Sequence, residues 1–149
     1  MVNRTKILIA LVILMISGYS CTKTQLDKDR DVIVKYIADK NLDAVEISNS
    51  GMFYVIERPG GSQHPNAYSL VTVNYVGYLT DGTEFGHDDT VKLSLPQTIM
   101  GWQMGVPLIG EGGRIKLLIP SQYGYGTNEQ GDIPKNSVLI FDIDLILFN

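Results

Sequence analysis

Val71-Thr72-Val73-Asn74-Tyr75-Val76-Gly77-Tyr78-Leu79-Thr80-Asp81-Gly82-Thr83-Glu84-Phe85 reads as a long β-strand, a tight turn and the start of a returning strand. Its first nine residues are rich in β-branched and aromatic types, and Asp81-Gly82 is a strong hairpin signal. Working outward, residues 52–57 form a further strand that Pro59-Gly60-Gly61 breaks, and residues 92–95 a short one. Residues 114–119 alternate Ile115, Leu117 and Ile119 with Arg114, Lys116 and Leu118. Residues 138–148 alternate Phe141, Ile143 and Leu145 with Asp142 and Asp144, which read as a solvated face. A short helix is predicted over 101–106, stopped by Pro107. Upstream, Val32, Ile33, Tyr36 and Ile37 make one stripe of an amphipathic helix over 29–40, with Lys40 at its end. Five or so antiparallel strands on a single helix give an α+β fold with an N-terminal amphipathic helix.

Composition narrows the function. The 149 residues are 44% hydrophobic and 19% charged, enough for one domain plus an appendage. A net charge of −4 with no basic run outside the extreme N-terminus argues against a nucleic-acid partner. Two His and one Cys cannot build a structural zinc site, and one Cys cannot close an internal disulfide. Gly110-Glu111-Gly112-Gly113 lacks the Lys-Ser/Thr of a phosphate loop. Asp142 and Asp144 sit two apart on one strand, unlike glycosidase carboxylates facing each other across a cleft. His87 beside Asp88 and Asp89 reads as a solvated loop, and His64 as a loop residue with no evident partner. No metal or cofactor is called for.

Residues 1–20 read as an export signal: Arg4 and Lys6 precede an unbroken apolar run over 7–16. That run is about half the roughly 20 residues of a spanning helix. Cys21, the single cysteine, follows directly and resembles a bacterial lipoprotein acceptor, although Gly18 stands where such sites usually carry Leu. Simple secretion and an uncleaved anchor are the alternatives. Residues 22–30 read as a tether, so the chain divides into a signal (1–20), a lipid-anchored tether and helix (21–50) and a folded domain (51–149).

The remaining signal is a set of aromatics with no nucleophile beside them. Four segments carry it: residues 73–85, Ile99-Met100-Gly101-Trp102-Gln103-Met104-Gly105-Val106, Pro120-Ser121-Gln122-Tyr123-Gly124-Tyr125-Gly126 with Ile133-Pro134, and Leu139-Ile140-Phe141-Asp142-Ile143-Asp144-Leu145. In this order and spacing they resemble the FKBP family of peptidyl-prolyl cis-trans isomerases across about residues 51–149. Any one segment is weak; the set is specific.

The resemblance implies a twisted half-barrel curled around the short helix, with a proline pocket between them. It implies Trp102 as the pocket floor and Tyr75, Phe85 and Phe141 as walls. It also places Val91 at a wall position usually aromatic in the family, and Ile133 at the rim. The Ile99 N–H and the Tyr125 hydroxyl would each hold a substrate carbonyl. The implied partners are proline-containing polypeptides, plus a membrane reached through a lipid on Cys21, on the extracytoplasmic side of a bacterial cell. One departure stands out. The family carries Asp immediately after the motif Phe, and here that residue is Gly86. Only His87 to Thr90, read as a shortened loop, separate it from Val91, leaving Asp88 or Asp89 as replacements for the carboxylate. Reduced activity and weak binding of rapamycin-type macrolides are the expectation. The alternative is a binding module that holds proline segments without useful turnover.

Overall fold

The computed structural model describes residues 22–149; the signal expected at 1–20 and Cys21 lie outside them. Six antiparallel strands form one sheet: β1 (Val45–Glu46), β2 (Phe53–Arg58), β3 (Leu70–Leu79), β4 (Glu84–Ser94), β5 (Arg114–Ile119) and β6 (Leu139–Phe148). Their spatial order is β1-β2-β5-β6-β3-β4. Two α-helices, α1 (Gln25–Lys40) and α2 (Met100–Gly105), take opposite faces of it. This is the expected α+β fold.

Alternation along the central strands decides both faces, because successive strand side chains point to opposite sides. On β5, Ile115, Leu117 and Ile119 enter the core beneath α2, while Leu118 meets Ile33 of α1. On β6, Leu139, Phe141, Ile143 and Leu145 join the α2 side and Ile140 the α1 side. Polar positions on the α1 side, expected as a solvated face, are half-buried and paired. Lys116 pairs with Asp142, which also accepts the Tyr78 hydroxyl at 3.0 Å. Arg114 and Arg58 both reach Asp144, at 2.5 and 3.1 Å. Burial, then the Asp142 charge, pushes the Tyr78 hydroxyl pKa up, so it remains a donor.

Helix α1 starts four residues earlier than its apolar stripe suggests. Thr24 caps it: the Thr24 side chain accepts the Asp27 N–H, and the Asp27 carboxylate accepts the Thr24 N–H. This capping box makes 25–30 helix rather than tether. Ile33, fully buried, anchors it with Tyr36 and Ile37, whereas Val32 faces out. Asn41, in the left-handed region at φ 50°, ends it.

His87 to Thr90, expected as a loop, belong to β4. The strand is eleven residues long and is interrupted twice in its pairing with β3. One interruption lies where Val73 pairs with Val91 and Tyr75 with Asp88; there Thr90 adopts φ 57° and its N–H is held by Asn74 Oδ1 at 2.7 Å. A bulge of this kind shifts which side chains face inward.

Helix α2 is short and lies against β5. A Cβ at Gly101 would stand 2.6 Å from Ile119 carbons, and one at Gly105 2.5 Å from Leu117 Cδ2, so the approach requires glycine at both positions. The α-helix ends at Gly105, ahead of Pro107 as expected, and Pro107 is the second residue of a 3₁₀ turn, Val106–Leu108, where its missing N–H costs nothing. Gly105→Ala is expected to destabilise the fold by about 1–3 kcal/mol through overpacking. The ~1 kcal/mol propensity gain of Ala is only partly available at a helix's last residue. Urea unfolding checks this: an unchanged midpoint would mean that Leu117 gives way without cost.

Candidate active site

The concave side holds a cavity of ≈ 490 Å³ between α2, the β3–β4 pair and the β5–β6 connection. That is an ordinary size for a small-ligand pocket. Trp102, carried by α2, forms its floor and is 4% exposed. Its ring meets Tyr75 and Phe141 edge-to-face, with centroids 5.2 and 5.3 Å apart and planes at 85° and 89°. Phe85 meets Phe141 in the same way at 5.4 Å. Such T-shaped pairs are the favoured aromatic geometry, so each ring fixes the next.

Phe85 reaches this wall because of a second irregularity in the β3–β4 pairing. Gly77 opposes Gly86, Tyr78 opposes Glu84, and Phe85 is the extra residue between. Its ring lies across Gly77, where any Cβ would overlap the edges of Phe85 and Phe141. Gly86, by contrast, lines the cavity with open space around it: a Cβ there would meet nothing within 4 Å.

Several polar groups of the lining have no hydrogen-bond partner among the described residues, and the two expected to hold substrate are among them. Ile99 is the N-cap of α2; its carbonyl accepts the Trp102 N–H at 3.0 Å, while its own N–H has no partner among the described residues. The Tyr125 hydroxyl likewise has none among them. Tyr75 differs: its hydroxyl donates to Asp88 Oδ2 at 3.1 Å. Burial pushes the Tyr75 pKa up, and the Asp88 hydrogen bond and charge push it further, so the proton stays on the phenol. Of the two candidate carboxylates, it is therefore Asp88 that lies beside the site, opposite Tyr75 in register, although it is exposed and outside the cavity lining.

The structure gathers Tyr75, Phe85, Ile99, Trp102, Tyr125, Ile133 and Phe141 around one cavity. It does not bring Val91 there. Val91 pairs with Val73 and packs on the core, and Leu93, two residues on, supplies the wall. The lining continues from Leu93 to Gln97 and Thr98, around the 3₁₀ turn Leu95–Gln97, which places the later residue of β4 at the cavity. Gln97, Thr98 and the stretch Gln130, Gly131, Asp132 also line it. The sequence offered no signal for these polar neighbours beyond their closeness to Ile99 and Ile133. His87 stays outside, 2.6 Å from Glu84, whose carboxylate raises the imidazole pKa. His64 does have a partner, the Pro107 carbonyl at 3.0 Å. Among the described residues no cluster of His, Cys, Asp and Glu is arranged to hold a metal ion.

Comparison with known proteins gives a consistent picture. A family model described as FKBP-type peptidyl-prolyl cis-trans isomerase matches residues 61–146. A protein named FKBP-type peptidyl-prolyl cis-trans isomerase FkpA from Buchnera aphidicola subsp. Acyrthosiphon pisum is 40% identical over 134 residues, 84% of this chain and 56% of that one. The protein of the same name from Escherichia coli (strain K12) is 35% identical over 80% of this chain and 44% of its own. This chain thus spans about half the length of the curated relatives it matches. Among solved structures, a peptidyl-prolyl cis-trans isomerase from Pseudomonas syringae pv. tomato superposes with a TM-score of 0.74 at 28% identity, covering 86% of this chain and 98% of that one. FkpA from Escherichia coli gives 0.70 at 30% identity, covering 99% and 73%.

Gly77→Ala is expected to displace the Phe85 ring, at an overpacking cost of about 1–3 kcal/mol. Trp102, the single tryptophan, reports on it: its emission should shift to the red as its aromatic cover loosens. An unaltered spectrum would mean that Phe85 does not depend on the bare Gly77.

Proposed function

Because the chain belongs to the FKBP-type peptidyl-prolyl cis-trans isomerase family, we propose that its cavity catalyses rotation about Xaa–Pro bonds of exported polypeptides. One observation carries this: a Trp102-floored aromatic box whose lining includes two donors without a partner among the described residues, the Ile99 N–H and the Tyr125 hydroxyl. Peptide rotation faces a barrier of roughly 18–20 kcal/mol, because resonance gives the C–N bond double-bond character. Resonance also separates charge, and water stabilises the planar form. Tyr75, Phe85, Trp102 and Phe141 exclude that water around the proline ring. Leu93 and Ile133 narrow the mouth. The Ile99 N–H and the Tyr125 hydroxyl each donate to a substrate carbonyl, holding the chain on either side of the twisting bond. Each ~1.4 kcal/mol gained in the twisted state speeds rotation about tenfold. No bond to protein forms or breaks. The uncatalysed step takes tens to hundreds of seconds, slow enough to limit folding.

A second reading rests on Gly86. The open space there leaves the cavity without the carboxylate expected after Phe85, which favours a domain that holds proline segments with little turnover. The same gap supports weak binding of macrolide inhibitors. Isomerisation of a short Xaa-Pro peptide by the purified chain separates the two readings. Turnover that Tyr125→Phe lowers about tenfold, the worth of one donor at ~1–1.5 kcal/mol, supports the isomerase. A rate equal to buffer alone sinks it. Gly86→Asp, whose Cβ would meet nothing within 4 Å, is expected to raise the rate. Trp102→Ala is a harsher control, since emptying the floor costs about 3–5 kcal/mol of stability.

The N-terminal features support an extracytoplasmic, lipid-anchored protein. Arg4, Lys6 and the apolar run at 7–16 precede Cys21, and α1 begins only four residues later at Gln25. No helix among the described residues is long and apolar enough to cross a membrane. A lipid on Cys21 would hold the domain close to the bilayer, facing clients as they emerge. Cys21→Ser should abolish palmitate labelling and move the protein from the membrane to the soluble fraction. Retention of Cys21→Ser on membranes would argue for an uncleaved anchor instead.

A further inference from the structure

Asp29 is a charged residue that the proposed chemistry does not use, yet it is buried to 3% exposure. A carboxylate is costly to bury unless its lone pairs are met, and here they are. Asp29 Oδ2 accepts the Ser121 N–H at 2.8 Å and the Ser121 hydroxyl at 2.6 Å, and Oδ1 accepts Gln25 Nε2 at 2.6 Å. Residues 29 and 121 are 92 positions apart in the chain.

Ser121 is the hub of the turn that carries Tyr125. Its carbonyl accepts the Gly124 N–H at 3.0 Å and the Gly126 N–H at 2.8 Å. The Gly126 carbonyl in turn accepts the Asn136 N–H at 2.7 Å. Every polar group of Ser121 is therefore committed: its N–H and hydroxyl to α1, its carbonyl to both residues flanking Tyr125. The Tyr125 side chain makes no hydrogen bond of its own among the described residues, so its place is set by its backbone and by the packing of its ring on the core.

We propose that Asp29 is a positioning residue for Tyr125: helix α1 holds Ser121, and Ser121 holds the turn that aims the Tyr125 hydroxyl into the cavity. This rests on the isomerase reading above and makes α1, which covers the opposite face of the sheet, part of the site's machinery. Loosening this anchor frees the turn without touching any residue that lines the cavity.

The test is a mutant cycle on the purified full chain, with Asp29→Ala and Tyr125→Phe alone and together, read by isomerisation of an Xaa-Pro tetrapeptide. Asp29→Ala should lower kcat/KM about tenfold in the parent chain, since a misplacement of ~1 Å costs up to about a hundredfold. In the Tyr125→Phe background it should lower it by less than about twofold, because the group it positions is gone. Asp29→Asn, which keeps one acceptor oxygen, should recover part of the loss. Ile33→Val trims the buried contact of the same helix and should act equally in both backgrounds. Equal losses from Asp29→Ala with and without the Tyr125 hydroxyl would overturn the proposal.

Amide exchange at Gly124 and Gly126 gives an arm independent of turnover. Asp29→Ala, or the milder Ser121→Ala should the first not fold, is expected to speed it about tenfold, and Ile33→Val is not. Unchanged exchange overturns the proposal. A chain that shows this acceleration but no turnover overturns the isomerase reading alone.

Discussion

The close seat of α2 on β5 sets the depth of the cavity. Gly101 and Gly105 present bare backbone to Ile119 and Leu117, so the helix sits a methyl group nearer the sheet than any other residue pair would allow. Trp102, between those glycines, is thereby pressed into edge-to-face contact with Tyr75 of β3 and Phe141 of β6. Phe85 then closes on Phe141, which only the missing side chain at Gly77 permits. Four rings from four elements are fixed in series. Because interiors are close-packed, a shift in the first propagates to the last.

The sheet tolerates this because its central strands are covered twice. Beneath α2 lies the larger cluster, with Leu117, Ile119, Phe141 and Ile143; on the far side Ile33 of α1 meets Leu118 and Ile140. Where α1 does not reach, charges replace it: Lys116 with Asp142, and Arg58 and Arg114 with Asp144. These half-buried pairs explain the alternating acids of β6 without any chemistry of their own. Asp29 joins the two sides, standing on α1 and bonding to Ser121, where the chain leaves β5 for the turn of Tyr125.

Much of this was legible in the residues. The strands over 114–119 and 138–148, the hairpin at Asp81-Gly82 and the short helix around Trp102 followed from pattern, and of the eight pocket residues the resemblance implied, all but Val91 line the cavity. Two of the differences, at His87 to Thr90 and at Val91, share a cause. The stretch from His87 to Thr90 looked like a loop because its polar residues break the alternation. They do so at a bulge, where Thr90 takes a left-handed conformation and the partner strand supplies Asn74 as a hydrogen-bond acceptor. With that register hidden, Val91 was assigned to the wall that Leu93 occupies. Helix α1 was cut short for a different reason. Its first turn carries a single apolar residue, Leu26, half-buried near Gly51, so the stripe looks as if it starts later, and the Thr24–Asp27 capping box marks the true start.

What the sequence determined by itself is what local physics fixes: strand alternation, turn chemistry, capping, and an inventory of aromatics with no nucleophile or metal ligands to accompany them. What the tertiary structure alone decided is which groups are left without partners. The open side of Gly86, the Ile99 N–H and Tyr125 hydroxyl without partners among the described residues, the bond from Tyr75 to Asp88 and the burial of Asp29 all depend on strand register and on contacts between residues far apart in the chain. A hydrogen bond is satisfied or vacant only in three dimensions, so no reading of a one-dimensional string can say where the vacancies fall.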